Sequence, residues 1–158
     1  MKIETTLTVN GMNYAVDVDP HATLSRTLRD VIGLTGTKEG CDDSECGACM
    51  VLLDSRPVNS CSYLALQAEG RAVTTVEGLS NVDELSPLQE SFLACGGVQC
   101  GFCTPGMLIS ATALLSTNPH PTESEVRIGL SGNLCRCTGY DGIVKAVLAA
   151  AEVNSTTH

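Results

Sequence analysis

The chain has 158 residues and a mass of 16.5 kDa, enough for one ordinary domain or two small ones. Hydrophobic residues make up 43% and charged residues 17%, a balance that excludes a disordered chain. The formal net charge of −9 argues against a nucleic-acid partner, and no run approaches the roughly 20 apolar residues of a membrane helix.

Alternating apolar residues at the N terminus predict a β-hairpin. The alternation lies on both sides of Asn10-Gly11, a pair that favours a tight turn. A helix follows, with Thr23 or Ser25 as its cap, and four apolar residues recur at helical spacing: Leu24, Leu28, Val31 and Ile32. Three short elements complete this half, namely a strand at 50–53, a turn at Arg56-Pro57 and a strand at 72–76. We therefore predict a small α+β unit.

Nine cysteines are the most unusual feature of the composition. They are at positions 41, 46, 49, 61, 95, 100, 103, 135 and 137. The N terminus lacks a basic stretch followed by an apolar run, so we predict no signal peptide and expect a cytoplasmic location. An odd count in a reducing compartment argues against a disulfide framework. Metal sites, catalysis and simple burial are the interpretations that this leaves.

The first group of cysteines has the spacing of a plant-type 2Fe-2S site. Cys41, Cys46 and Cys49 follow the pattern C-x4-C-x2-C, and Cys61 comes after eleven further residues. Nearby glycines give the loop the freedom to wrap around a cluster and bring amide groups towards its sulfurs. The alternative is a four-cysteine zinc site, but such sites use two close pairs, whereas Cys61 is alone.

The second group consists of two close pairs, Cys100-x2-Cys103 and Cys135-x-Cys137, separated by 31 residues. Thr104 as N-cap with Pro105 at the first helical position predicts a helix there, and an apolar stretch also follows the second pair. Helix N-termini favour an anionic cluster. Alone, this pattern could also indicate zinc, but beside a plant-type group it favours a second iron–sulfur cluster.

From Leu85 the apolar pattern becomes helical. Four helices are predicted. The first begins at Ser86 and the second covers 104–115. The third follows the capping box at Thr122 and contains Val126, Ile128 and Leu130, and the fourth covers 142–152. The change of pattern near 78–84 predicts two domains, 1–78 and 84–158. We expect Cys95 to be a small buried apolar residue rather than a ligand.

Three motifs resemble the iron–sulfur subunit of the molybdenum hydroxylases, the family of xanthine dehydrogenase, aldehyde oxidoreductase and carbon monoxide dehydrogenase. They are GCDDSECGAC at 40–49, QCGFCTPG at 99–106 and GNLCRCTGY at 132–140. The resemblance covers nearly the whole chain. It implies an α+β protein with an N-terminal β-grasp 2Fe-2S ferredoxin-like domain followed by an all-α four-helix bundle domain that binds a second 2Fe-2S cluster.

The resemblance also assigns roles to residues. The plant-type cluster would be held by Cys41, Cys46, Cys49 and Cys61, and the bundle cluster by Cys100, Cys103, Cys135 and Cys137. Gln99 and Cys137 match the positions that approach molybdopterin on a partner subunit. No residue of this chain is expected to be catalytic, because a 2Fe-2S cluster moves one electron and makes no bonds.

The function implied is electron transfer from a molybdopterin centre, through both clusters, to a flavin. Molybdopterin is expected on a large partner subunit and FAD on a medium one, in a heteromer such as a dimer of heterotrimers. Consistent with partner-held cofactors, the chain has no G-x-G-x-x-G nucleotide fingerprint. The alternatives are delivery to a cytochrome, a stand-alone two-cluster ferredoxin or redox sensor, and a structural zinc protein.

Overall fold

The computed structural model describes residues 1–81 and 83–155. Five strands form one sheet: β1 Ile3–Val9, β2 Met12–Val18, β3 Met50–Leu53, β4 Arg56–Asn59 and β5 Ala72–Thr74. The helices are α1 Leu24–Arg26, α2 Pro87–Ala94, α3 Thr104–Thr117, α4 Glu123–Gly129 and α5 Asp141–Ser155. The strand order is β2-β1-β5-β3-β4, with β1 and β5 parallel and the other neighbours antiparallel. The chain is therefore a mixed sheet followed by helices, as its sequence predicts.

The N-terminal hairpin is confirmed. β1 and β2 pair from Ile3 opposite Val18 to Val9 opposite Met12. The two turn residues, Asn10 and Gly11, both have positive φ, at 51° and 77°, the conformation that a two-residue hairpin turn requires. The inward-facing apolar side chains of both strands form the core of this half together with α1, β3 and β5.

The helix after this hairpin differs from the prediction in its second half. Thr23 is the N-cap, and its hydroxyl accepts a hydrogen bond from the Arg26 N–H. From Thr27 to Ile32 the backbone continues as a π-helix, which has more residues per turn than an α-helix. Val31 is therefore 52% exposed rather than buried, whereas Leu24 and Leu28 are fully buried.

The second hairpin corrects two expectations. Its turn is at Asp54 and Ser55, whose φ values are 48° and 66°, and not at Arg56-Pro57, which belongs to β4. Pro57 is tolerated opposite Leu52 because β4 is an edge strand, where a missing N–H breaks no ladder on the outer side. β5 is also shorter than predicted and ends at Thr74.

In the helical half, the capping boxes are observed at Ser86 with Gln89 and at Thr122 with Glu125. Helices α2–α5 share one core, made of Leu88, Phe92, Met107, Leu108, Ala111, Val126, Leu130, Ile143, Val144, Ala146, Val147 and Ala150. Ile128 does not join it and is 69% exposed. Thr104 is the first helical residue of α3 and Cys103 is the N-cap, so the predicted cap was one residue too late.

Helix α3 also packs against β3 and β4, so the sheet and the helices are in direct contact. Within the described ranges no helix is both long and apolar enough to cross a membrane.

Candidate metal centres

The first group of thiols lies around the loop between the π-helix and β3. Cys41, Cys46 and Cys49 are on this loop, and Cys61 lies in the single helical turn Ser60–Ser62 that follows β4. The side-chain amide of Asn59 donates to the carbonyl of Ser44 at 2.9 Å and so ties the end of β4 to the loop. Sheet pairing between β3 and β4 thus brings the fourth thiol to the other three.

Within this group, contacts between side chains join Cys41 with Cys46 and Cys49 with Cys61, and the Cys49 thiol also interacts with that of Cys46. Backbone N–H groups point at the sulfurs: that of Cys46 is 3.4 Å from Cys41 Sγ, and that of Ala48 is 3.5 Å from Cys46 Sγ. The predicted approach of amide donors to these sulfurs is therefore observed.

The second group shows the same arrangement in pairs. Cys100 Sγ and Cys137 Sγ are 3.5 Å apart at the surface, and Cys103 and Cys135 form a second, half-buried pair. All four line a cavity of about 360 Å³ that also reaches Cys46. Both pairs lie close to helix N-termini, because Cys103 caps α3 and Cys135–Cys137 precede α5.

Burial and hydrogen bonding shift these thiols in different directions. Burial raises the pKa of Cys49 to about 12 and that of Cys103 to about 12. Backbone N–H groups, above all that of Cys46, lower the pKa of Cys41. Burial is the largest single influence on Cys135 and acts to raise its pKa, but hydrogen bonds from Thr138, the Cys137 N–H and Cys103 together outweigh it, so the pKa is lowered. A metal that replaces the thiol proton would offset the burial penalty at Cys49 and Cys103.

This donor set fits a 2Fe-2S cluster at each group. Such a cluster is held by four cysteine thiolates, two on each iron, and it is anionic, so it needs pairs of thiols surrounded by N–H donors. A mononuclear zinc site instead brings four ligands to one point. The pairs therefore match the iron–sulfur interpretation better than the zinc alternative.

The two groups meet at a seam that the sequence did not predict. The backbone N–H of Leu134, next to Cys135, donates to the carbonyl of Cys46 at 2.9 Å. The Asn133 side chain, only 3% exposed, donates to the Gly47 carbonyl at 3.1 Å and accepts from the Ser110 hydroxyl at 2.7 Å. The loops that carry the two thiol groups are therefore held directly against each other.

Several other residues are placed by the structure. Gln99 is exposed next to the exposed Cys100. Cys95 is only half-buried and packs against the helical core at the end of α2, so its predicted burial is partial. Sequence reasoning missed Thr138, whose hydroxyl is 3.1 Å from Cys135 Sγ, and Ser44, whose hydroxyl is 3.6 Å from Cys61 Sγ. Thr138 could have been found as a hydroxyl residue three positions from a ligand.

Comparison with known proteins agrees with this geometry. Residues 7–80 match a family described as a 2Fe-2S iron-sulfur cluster binding domain, and residues 75–148 match a [2Fe-2S] binding domain. The nicotine 6-hydroxylase small subunit of Paenarthrobacter nicotinovorans is 53% identical over 149 residues, which are 94% of this chain and 90% of that protein.

Two further relatives differ in how the same segment is used. The quinoline 2-oxidoreductase structure from Pseudomonas putida 86 matches with a TM-score of 0.94 and 47% identity, over 99% of this chain and 98% of that one. The aldehyde oxidoreductase of Megalodesulfovibrio gigas is 45% identical over 154 residues, 96% of this chain but only 17% of that protein. There the segment is part of a much longer polypeptide.

The chain therefore belongs to the iron–sulfur subunits of the molybdenum hydroxylase family, the group of xanthine dehydrogenase and aldehyde oxidoreductase. It binds 2Fe-2S clusters and transfers electrons as the non-catalytic subunit of a multi-subunit oxidoreductase. The relatives do not favour the alternatives of delivery to a cytochrome or a stand-alone ferredoxin.

Proposed function

We propose that Cys41, Cys46, Cys49 and Cys61 hold one 2Fe-2S cluster and that Cys100, Cys103, Cys135 and Cys137 hold the other. The observation that supports this assignment best is that each group forms two pairs of thiols, which is what two irons with two thiolates each require. Each cluster accepts and releases one electron; the chain supplies the thiolates, their N–H donors and the spacing between the two groups.

We further propose that electrons enter at Cys100 and Cys137 and leave from the Cys41 group. Both entry thiols are exposed, together with Gln99, so a molybdopterin centre on a large partner subunit could approach them, with Gln99 and Cys137 nearest the pterin. FAD on a medium subunit would then be the acceptor. No residue of this chain would be catalytic, and the whole would be a heteromer such as a dimer of heterotrimers.

The organisation of the chain supports two further parts of this proposal. The separate apolar cores of the sheet and of α2–α5 support domains at 1–78 and 84–158, a β-grasp domain followed by a four-helix bundle. The eight proposed iron ligands must stay reduced in order to bind iron, which supports work in a reducing compartment such as the cytoplasm.

The first test is the metal content of the full-length chain purified without air. Two clusters predict about four iron and about four acid-labile sulfide per chain, with a brown colour. A colourless chain that contains zinc would overturn the proposal.

The second test separates the two groups. Cys103→Ser removes one proposed ligand. We therefore expect one of the two reduced-cluster signals in electron paramagnetic resonance (EPR) to disappear and the other to remain. The complex assembled with its partner subunits should lose its turnover. Cys95→Ala is the matched control and should leave both signals intact. Retention of both signals in Cys103→Ser would refute the grouping, and loss of a cluster in Cys95→Ala would make the ninth thiol a ligand.

A further inference from the structure

The hydroxyl of Thr138 lies against a sulfur of the second thiol group. Thr138 Oγ1 is 3.1 Å from Cys135 Sγ, and the backbone N–H of Thr138 donates to the same sulfur at 3.4 Å. Thr138 is half-buried, so the contact is partly withdrawn from water. A single residue thus brings two hydrogen-bonding groups to one proposed iron ligand.

The neighbouring hydrogen bonds fix the direction in which the Thr138 hydroxyl acts. Its oxygen already accepts a hydrogen bond from the Tyr140 N–H at 3.2 Å. A hydroxyl has one proton to donate, and a cysteine bound to iron is a thiolate with none, so the Thr138 proton is the one shared with Cys135 Sγ. In the loaded protein, Thr138 is therefore the donor.

Tyr140 holds this arrangement in place from the other side. Its phenol oxygen accepts a hydrogen bond from the Cys135 N–H at 3.0 Å, which closes a loop of contacts over 135–140. Tyr140 has a φ of 72°, a conformation that is uncommon for a residue other than glycine. With this strained backbone conformation, the Tyr140 side chain reaches back to the Cys135 N–H.

In the first thiol group, the corresponding contact between a hydroxyl and a sulfur is longer and therefore weaker. Ser44 Oγ is 3.6 Å from Cys61 Sγ, longer than the 3.1 Å at Cys135. A donor stabilises a reduced cluster more than an oxidised one, because reduction adds negative charge to the sulfurs, and hydrogen bonds to the sulfurs are among the factors that set cluster potentials. The two groups are therefore unequal in a property that controls the potential.

We propose that the Thr138 hydroxyl raises the reduction potential of the cluster held by the second thiol group. Thr138 acts through Cys135 and is a positioning residue rather than a catalytic one. This inference rests on the proposed function, because it needs iron at Cys135. Both clusters have four cysteine ligands, so the Thr138 hydroxyl would give them a difference in reduction potential that the ligands alone do not explain.

The test is an EPR redox titration of the full-length chain, purified together with any subunits that accompany it, as wild type, Thr138→Val and Thr138→Ser. Valine keeps the shape of the side chain and removes the donor. We expect the midpoint potential of the second cluster to fall in Thr138→Val by about a tenfold change in the reduction equilibrium, which is about 59 mV for one electron. Thr138→Ser should keep the wild-type potential of the second cluster. The midpoint potential of the first cluster should not change in either variant.

The matched control is Ser44→Ala, which should leave the potential of the second cluster unchanged. If Thr138→Val assembles no second cluster, Thr138→Ala takes its place with the same expectation. Unchanged potentials with both signals present would overturn the inference alone, as would failure of both substitutions to assemble the cluster, because a tuning residue is dispensable for assembly. Absence of both signals from the wild-type chain would instead overturn the proposed function.

Discussion

Gly47 lies at the seam between the two halves of the molecule, close against the loop of Gly132 and Asn133. A Cβ built there would collide with the Gly132 carbonyl and lie 2.7 Å from the side-chain nitrogen of Asn133. Its φ of 71° is also a conformation that L side chains rarely adopt. The loop of the first thiol group can therefore reach the seam only with glycine at this position.

Replacement of Gly47 tests this close approach. In Gly47→Ala we expect a loss of unfolding free energy of about 2 kcal/mol or more, because the strain of positive φ adds to a clash with backbone. Gly70→Ala is the matched control, since Gly70 has the same φ of 71° but nothing within 4 Å of the added Cβ. Urea unfolding followed by circular dichroism measures both. Equal losses would mean that backbone strain, and not the contact at the seam, requires glycine.

At the same scale, the candidate site was only partly predictable. Spacing alone indicated the two groups of thiols, because one group has the plant-type pattern and the other consists of two close pairs. The hydrogen bond from Asn133 to Gly47 joins residues 86 positions apart, so it depends on how the helices pack on the sheet. Thr138 is close to a ligand in sequence, but the contact of its hydroxyl with Cys135 Sγ depends on the conformation of the loop, which spacing does not give.

At the scale of elements, α2 has one buried and one exposed large apolar side chain at adjacent positions. Phe92 is 1% exposed in the core shared with α5, whereas Leu93 is 61% exposed. Successive residues on a helix are about 100° apart, so two neighbouring large apolar side chains can differ completely in burial. Only the first of them contributes to the packing that supports the second thiol group.

This contrast predicts different costs of truncation. Phe92→Ala should reduce the unfolding free energy by about 3–5 kcal/mol, through lost burial and the cavity that remains. Leu93→Ala should change it by about 0.5 kcal/mol or less, as is usual at the surface. Thermal unfolding of both variants, together with the EPR signal of the second cluster, provides the measurement. A large effect in Leu93→Ala would reveal a partner or contact that covers this face.

The elements that sequence patterns predicted correctly are those with local causes. The helix start at Ser86, the capping box at Thr122 and the Asn10-Gly11 turn depend on residues three or fewer positions apart. The errors have causes in the tertiary structure. Pro57 is tolerated in a strand because β4 is at the edge of the sheet, and Val31 is exposed where the second half of its helix is a π-helix.

At the scale of the whole molecule, the buried Asn133 connects the sheet half to the helical half. Its side chain contacts Gly47 on one side and Ser110 of α3 on the other. Both partners would be left without this hydrogen bond if the amide were removed, and a buried polar group without a partner costs about 1–3 kcal/mol. We therefore expect Asn133 to help fix the distance between the two thiol groups.

Asn133→Ala should consequently loosen the seam without removing a ligand. We expect both EPR signals to remain, the magnetic interaction between the two reduced clusters to weaken or become heterogeneous, and the unfolding free energy to fall by about 1–3 kcal/mol. Asn13→Ala, at an exposed asparagine of β2, is the control and should change neither property. An unchanged interaction in Asn133→Ala would show that packing of α3 on β3 is sufficient to fix the spacing.

The bond between Leu134 N–H and the Cys46 carbonyl is made by main-chain atoms alone. With the ligands proposed here, it completes a continuous bonded bridge from one metal-binding sulfur to another, and tunnelling decays more slowly along such a bridge than across a gap. Nearly every substitution at position 134 keeps this hydrogen bond, because it uses only the backbone N–H of that residue. Proline, which has no amide hydrogen, is the replacement that would remove this hydrogen bond and with it the bridge.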